Sequence, residues 1–150
     1  MLEKASMRLA KKGYDKIEII QGDIRTIPLK ENHYDIILAG AVLHHLRDDL
    51  DWEDTFTKLY RLLKMGGCLM ISDLITQDYK EVNTYIWEKY GEYIETLGGP
   101  EYRKKVFAYV AKEDSPRSMT YQLELMKKVG FMHTEILHKN LCFGAFGGIK

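Results

Sequence analysis

The chain has 150 residues, of which 45 % are hydrophobic and 29 % charged, with 22 basic side chains balancing 22 acidic ones. A chain of this size buries roughly 68–70 % of the surface its unfolded form exposes, so it folds without a disulfide or metal staple. The balanced charge excludes a global field steering it to nucleic acid or a membrane surface, and leaves a local patch as the only electrostatic route to tRNA. Cys68 and Cys142 stand far apart, in no Cys-x-x-Cys or Cys/His pattern. They read as core thiols of a reducing compartment rather than as a disulfide or zinc site. No apolar run approaches the ~20 residues of a membrane span. The start, MLEKASMRLAKKG, is helical rather than signal-like, with Leu2, Ala5 and Leu9 on one face. A cytoplasmic location is the expectation.

That first helix is expected to stop near Gly13, and Lys16 to Ile20 then reads as a short isoleucine-rich strand. The strand breaks at Gly22-Asp23. From Tyr34 the run YDIILAGAVL is apolar on both faces, as in a buried parallel strand. Asp51 is the expected cap of a helix whose apolar stripe is Trp52, Phe56, Leu59, Tyr60 and Leu63, ended by Gly66-Gly67. Cys68 to Ile75 is the next buried strand. Val82, Ile86, Tyr90, Tyr93 and Leu97 make a second stripe closed by Gly98-Gly99-Pro100, and a shorter helix around Tyr102 to Val110 precedes the polar turn KEDSPRS. A last helix spans about Met119 to Val129 and stops at Gly130. Two strands follow, joined at Lys139 and its neighbours by a link so short that they must be antiparallel.

The motifs QGDIRTIPL, YDIILAGAVLHHL and LYRLLKMGGCLMISDLI, with the terminal antiparallel hairpin, resemble the class I S-adenosylmethionine-dependent methyltransferases in order and spacing. The fold this implies is α/β: an incomplete Rossmann-like methyltransferase sheet with strands three, four, five, seven and six present and strands one and two absent. Helices on both faces would flank it. The family's glycine-rich G-x-G-x-G loop and the acidic residue closing its second strand have no counterpart in these residues. The chain therefore reads as a single methyltransferase-like domain over 1–150, truncated at its N-terminus, with 78–118 a helical insertion or lid.

The resemblance also implies roles. Asp23 matches the acid that accepts a hydrogen bond from the adenine amino group, with Ile24 stacking beside the ring; the alternative is a turn aspartate satisfying local backbone N–H groups. Ala39 and Gly40 match the fourth-strand end, where a backbone carbonyl approaches the amino-acid portion of the cofactor, unless they are small because a helix packs close. His44 and His45 match the family's LHH. Adjacent helical residues point about 100° apart, so one of the two at most is expected to face the cleft. Either is a weak candidate for a general base, and His44 more plainly for a structural place beside the cofactor. His33, His133 and His138 form no metal-ligand spacing, and no metal is expected.

The expected cofactor is S-adenosylmethionine and the expected chemistry methyl transfer to an acceptor, a small molecule before a nucleic acid, with no membrane partner. Two alternatives stay open. One is a noncatalytic methyltransferase-like remnant or interaction module that binds cofactor poorly. The other follows from the ending LCFGAFGGIK, which resembles carboxy-S-adenosylmethionine synthase, an enzyme of tRNA modification; that enzyme needs an arginine for the added carboxylate, and Arg103 lies in a suitable region. Without strands one and two, one edge of YDIILAG is bare, an aggregation template unless covered. The expected cover is a homodimer or a strand-exchanged oligomer, or else EIIQ moving across to pair with YDIIL.

Overall fold

The computed structural model describes Lys4, Met7, Arg8 and residues 16–150. The expected N-terminal helix, with its Leu2, Ala5 and Leu9 stripe, lies mostly outside the described residues. The described part forms strand β1 (Tyr34–Gly40), a 3-10 turn (Leu43–His45), helix α1 (Asp49–Leu62), β2 (Leu63–Leu74), α2 (Lys80–Glu113), α3 (Met119–Val129), β3 (His133–Asn140) and β4 (Phe143–Ile149). The sheet order is β1-β2-β4-β3. β1 and β2 are parallel, and the other two pairings are antiparallel. This is the order expected for the fourth, fifth, seventh and sixth strands of the methyltransferase sheet.

Lys16 to Ile20 is not a strand. The segment is irregular, and Ile17, Ile19 and Ile20 are all exposed. Strand propensity needs a ladder partner, and no described strand pairs with it. Nor does it cross to pair with YDIIL, because β1 has β2 as its one described sheet neighbour.

The core lies on one side of the sheet. Asp48, rather than Asp51, caps α1 by accepting the backbone N–H of Asp51 at 2.9 Å. Trp52, Phe56 and Leu59 then face Leu69, Ile71 and Phe146 of the sheet, and Leu125 and Met126 of α3 complete the cluster. Burying each such aliphatic or phenyl side chain contributes roughly 1.5–3 kcal/mol. α1 ends at Leu62, four residues before the glycines. Gly66 and Gly67 instead belong to β2, where a Cβ on Gly67 would sit 3.0 Å from the Asp35 carbonyl. On the other face, among the described residues, Ile36 is 61 % and Leu38 77 % exposed. Helices α1 and α3 thus cover the core face, and Ile36 and Leu38 of β1 stay open on the other.

α2 is two helices joined at a sharp turn. Gly99 has φ 77° and ψ −179°, a conformation essentially confined to glycine, with Pro100 following. The halves 80–98 and 100–113 fold back on each other: Trp87 and Tyr90 meet Phe107, and Arg103 pairs with Glu95 at 2.9 Å. The two expected helices are therefore both present, as an antiparallel hairpin. Ser118 accepts the Tyr121 N–H to start α3, and Gly130, left-handed at φ 118°, ends it where the sequence predicts the stop. No helix of the described residues is long and apolar enough to cross a membrane.

Candidate functional site at the carboxyl edge of β1 and β2

The parallel ladder between β1 and β2 ends at the pair Gly40 and Ser72. The chain leaves β1 through Ala41, whose φ of 51° turns it sharply, and enters the 3-10 turn Leu43–His45. Asp73 holds that turn. Its carboxylate, 1 % exposed, accepts the N–H groups of Leu43 and Leu74 at 2.7 Å and of Val42 at 3.2 Å, and it bonds Nδ1 of His44. A buried carboxylate is tolerable when its lone pairs are filled in this way. The Asp73 hydrogen bond raises the His44 pKa above its ordinary 6.5; burial acts against this, and the charges of Asp73 and Asp114 add to it.

The two histidines do not diverge as expected. Their ring centroids lie 4.2 Å apart, and both rings approach Asp114, the residue that terminates α2. His44 Nε2 is 3.8 Å and His45 Nδ1 3.1 Å from Asp114 Oδ1. The turn is a 3-10 segment rather than α-helix, and the end of α2 is tied over it: Ser115 N–H donates to the His44 carbonyl at 2.6 Å, and Arg47 Nη1 to the Lys112 carbonyl at 3.3 Å. Asp73 and Asp114 escaped the sequence reading. The signal for Asp73 was present, since a carboxylate inside the apolar run CLMISDLI has to be paired. Asp114 sat unmarked in a polar turn, with no local cue to its histidine neighbours.

Asp23 is partly exposed and engages Arg25. Oδ1 accepts the Arg25 backbone N–H at 2.9 Å, and the guanidinium contacts both oxygens, closest at 2.7 Å. These hydrogen bonds, the side-chain one first, hold the Asp23 pKa down at about 2. This is the local backbone bonding of a turn aspartate. The three N–H groups make four hydrogen bonds, two on each oxygen, so a further donor has to replace or share an Arg25 contact. Arg25 also bonds both oxygens of Asp51 at 2.9 Å, and Asp51 accepts the Arg47 N–H at 3.1 Å. That chain of bonds brings Asp23 to the loop that follows the histidines. Ile24 packs against the core cluster, partly buried. Ala39 is buried in the core, whereas a Cβ on exposed Gly40 would meet nothing within 4 Å. Close helix packing thus accounts for Ala39 and not for Gly40. Arg103 lies inside the α2 hairpin, against Gly91 and over the Phe107 ring at 5.4 Å.

Comparison with known proteins bears on the fold that carries this site. A methyltransferase domain model matches residues 1–71. A carboxy-S-adenosyl-L-methionine synthase of Helicobacter hepaticus is 28 % identical over 146 residues, covering 96 % of this chain and 59 % of that protein. A demethylmenaquinone methyltransferase of Anoxybacillus flavithermus is 21 % identical, covering 91 % and 57 %. The chain therefore spans less than two thirds of these relatives' length. Among solved structures, human N-acetylserotonin methyltransferase in complex with S-adenosylmethionine superposes with a TM-score of 0.59 at 18 % identity, over 95 % of this chain and 37 % of that one. A phosphoethanolamine N-methyltransferase of Haemonchus contortus, bound to S-adenosylhomocysteine, gives 0.60 at 19 %, over 91 % and 27 %. This chain has the motifs and the fold of a class I S-adenosylmethionine-dependent methyltransferase domain.

Proposed function

We propose that the chain works in S-adenosylmethionine-dependent methyl transfer, with its share of the donor site along the carboxyl edge of β1 and β2. The observation that carries this reading is the hydrogen-bond chain Asp23–Arg25–Asp51–Arg47, which gathers Asp23 and the loop after β1 onto one rim. Bound there, S-adenosylmethionine supplies a methyl group already activated by its sulfonium. The residues fit the group. Asp23 offers its carboxylate to the adenine amine in exchange for an Arg25 contact, Ile24 offers an apolar neighbour for the ring, and the open Gly40 lets backbone approach the methionine portion. Ala39 anchors that strand end in the core. His44, clamped by Asp73, is a positioning residue that fixes the loop, and alignment of acceptor and methyl provides the main rate effect.

The α2 hairpin, within the 78–118 region, serves as the lid on the acceptor side. Beside it a cavity of about 330 Å³ is lined by Tyr90, Tyr93, Asn140, Leu141 and Phe143, within the range that small-molecule sites occupy. A small acceptor with an apolar or aromatic body suits it. Incubating the protein with methyl-labelled S-adenosylmethionine and a small-molecule cell extract tests the reading. Label should reach a small product, and Gly40→Val should abolish the transfer. No transfer beyond the Gly40→Val level would sink it.

A second reading is favoured by one observation: the Helicobacter hepaticus synthase is the more identical of the two relatives and aligns along almost the whole chain. On that reading the product is a carboxylated S-adenosylmethionine, detectable by mass spectrometry. It requires Arg103 to leave Glu95. The exposed β1 face, with Ile36 and Leu38, suits self-association into a homodimer.

A further inference from the structure

We propose that His44, His45 and Asp114 form a three-ligand site for a divalent transition metal of the zinc class. His44 Nε2, His45 Nδ1 and Asp114 Oδ1 all lie within 4.8 Å of one another, and the two nitrogens are 3.8 and 3.1 Å from the carboxylate oxygen. A tetrahedral ion with bonds of about 2.0–2.1 Å keeps its ligand atoms about 3.3 Å apart, so small rotations bring the three donors into register. Two imidazoles and one carboxylate are the donor set of many zinc-type sites, with one coordination position left for water or a ligand oxygen.

Two further observations point to a cation rather than to an incidental cluster. The Asp114 side chain is 4 % exposed, yet its Oδ1 accepts no hydrogen bond, because the approach of His45 lacks hydrogen-bond geometry. A carboxylate oxygen out of water and without a donor is costly, and a metal ion relieves that cost directly. Asp73 supplies the supporting contact. By accepting a hydrogen bond from Nδ1–H of His44, it fixes the tautomer whose Nε2 lone pair faces Asp114, the carboxylate–histidine–metal arrangement that orients ligands in metal sites. His45 is half exposed, so an ion has a path in from solvent. The metal would join the turn after β1 to the end of the α2 hairpin. The proposal stands independently of methyl transfer.

Titrating the chelator-treated, untagged protein with Co²⁺, followed by its visible ligand-field absorption and then by Zn²⁺ displacement, tests this. We expect saturation at one equivalent with the intense bands of a four-coordinate ion. Asp114→Asn and His45→Gln should each weaken Zn²⁺ binding at least about a hundredfold, and Asp73→Asn about ten- to hundredfold. His138→Ala, on β3, should leave it unchanged. His45 is half exposed, so His45→Gln stays informative if the Asp variants fold poorly by circular dichroism. No four-coordinate band at one equivalent, or equal affinity in a folded His45→Gln variant, overturns the proposal.

Discussion

Asp23 and Asp73 both stand at the carboxyl rim, one partly exposed against a guanidinium and the other sealed under backbone amides. Arg25 holds Asp23 at a pKa of about 2, below the unfolded value of 3.8. The folded pKa is depressed, so the bridge's contribution is fully present above about pH 4 and is lost as pH falls through about 2. An NMR titration of the Asp23 carboxyl carbon should give a midpoint near 2, moving up toward the ordinary carboxylate value in Arg25→Ala; an unmoved midpoint would discard the bridge. Asp73 is different in kind. Asp73→Ala orphans three backbone N–H groups and the His44 ring, and should cost about 3 kcal/mol in urea unfolding. A loss under about 1 kcal/mol would show that water replaces the carboxylate. Burial pushes the Cys142 thiol up to about 12, whereas Cys68 is only partly covered. In the native protein Cys68 should react with a thiol reagent first, and equal rates would contradict the packing around Cys142.

Elements with local start and stop signals were legible from the sequence. Gly130 marked the end of α3 because a left-handed glycine acts within one turn of chain, and the Ser118 cap at its start is equally local. Gly99-Pro100 likewise marked the break inside α2, and Gly99→Ala should destabilise the hairpin by about 1–3 kcal/mol, since its backbone sits where only glycine is comfortable. A neutral Gly99→Ala variant would mean that the turn relaxes. The strand over Lys16 to Ile20 was misread because its isoleucines carry propensity without a partner. The end of α1 was misread because β2 starts through tertiary pairing, not at the glycines. Most of the candidate site was hidden for the same reason. His44 and His45 were visible as a motif, but their meeting over Asp114 depends on where the α2 hairpin lands.

At the scale of the molecule, one sheet face is packed and the other, where described, shows Ile36 and Leu38 to solvent on β1, the edge strand of the described sheet. Sedimentation velocity should detect a concentration-dependent dimer that Leu38→Glu dissociates with little change in stability. A monomer at every concentration would remove self-association from the account. The rim at the end of that same strand is where the donor is expected to bind. The most direct measurement is calorimetry of the protein with S-adenosylhomocysteine. The account predicts saturable one-site binding that Asp23→Ala weakens about tenfold, the loss of one charge-assisted hydrogen bond. No binding at millimolar ligand, or binding that Asp23→Ala leaves untouched, would contradict it.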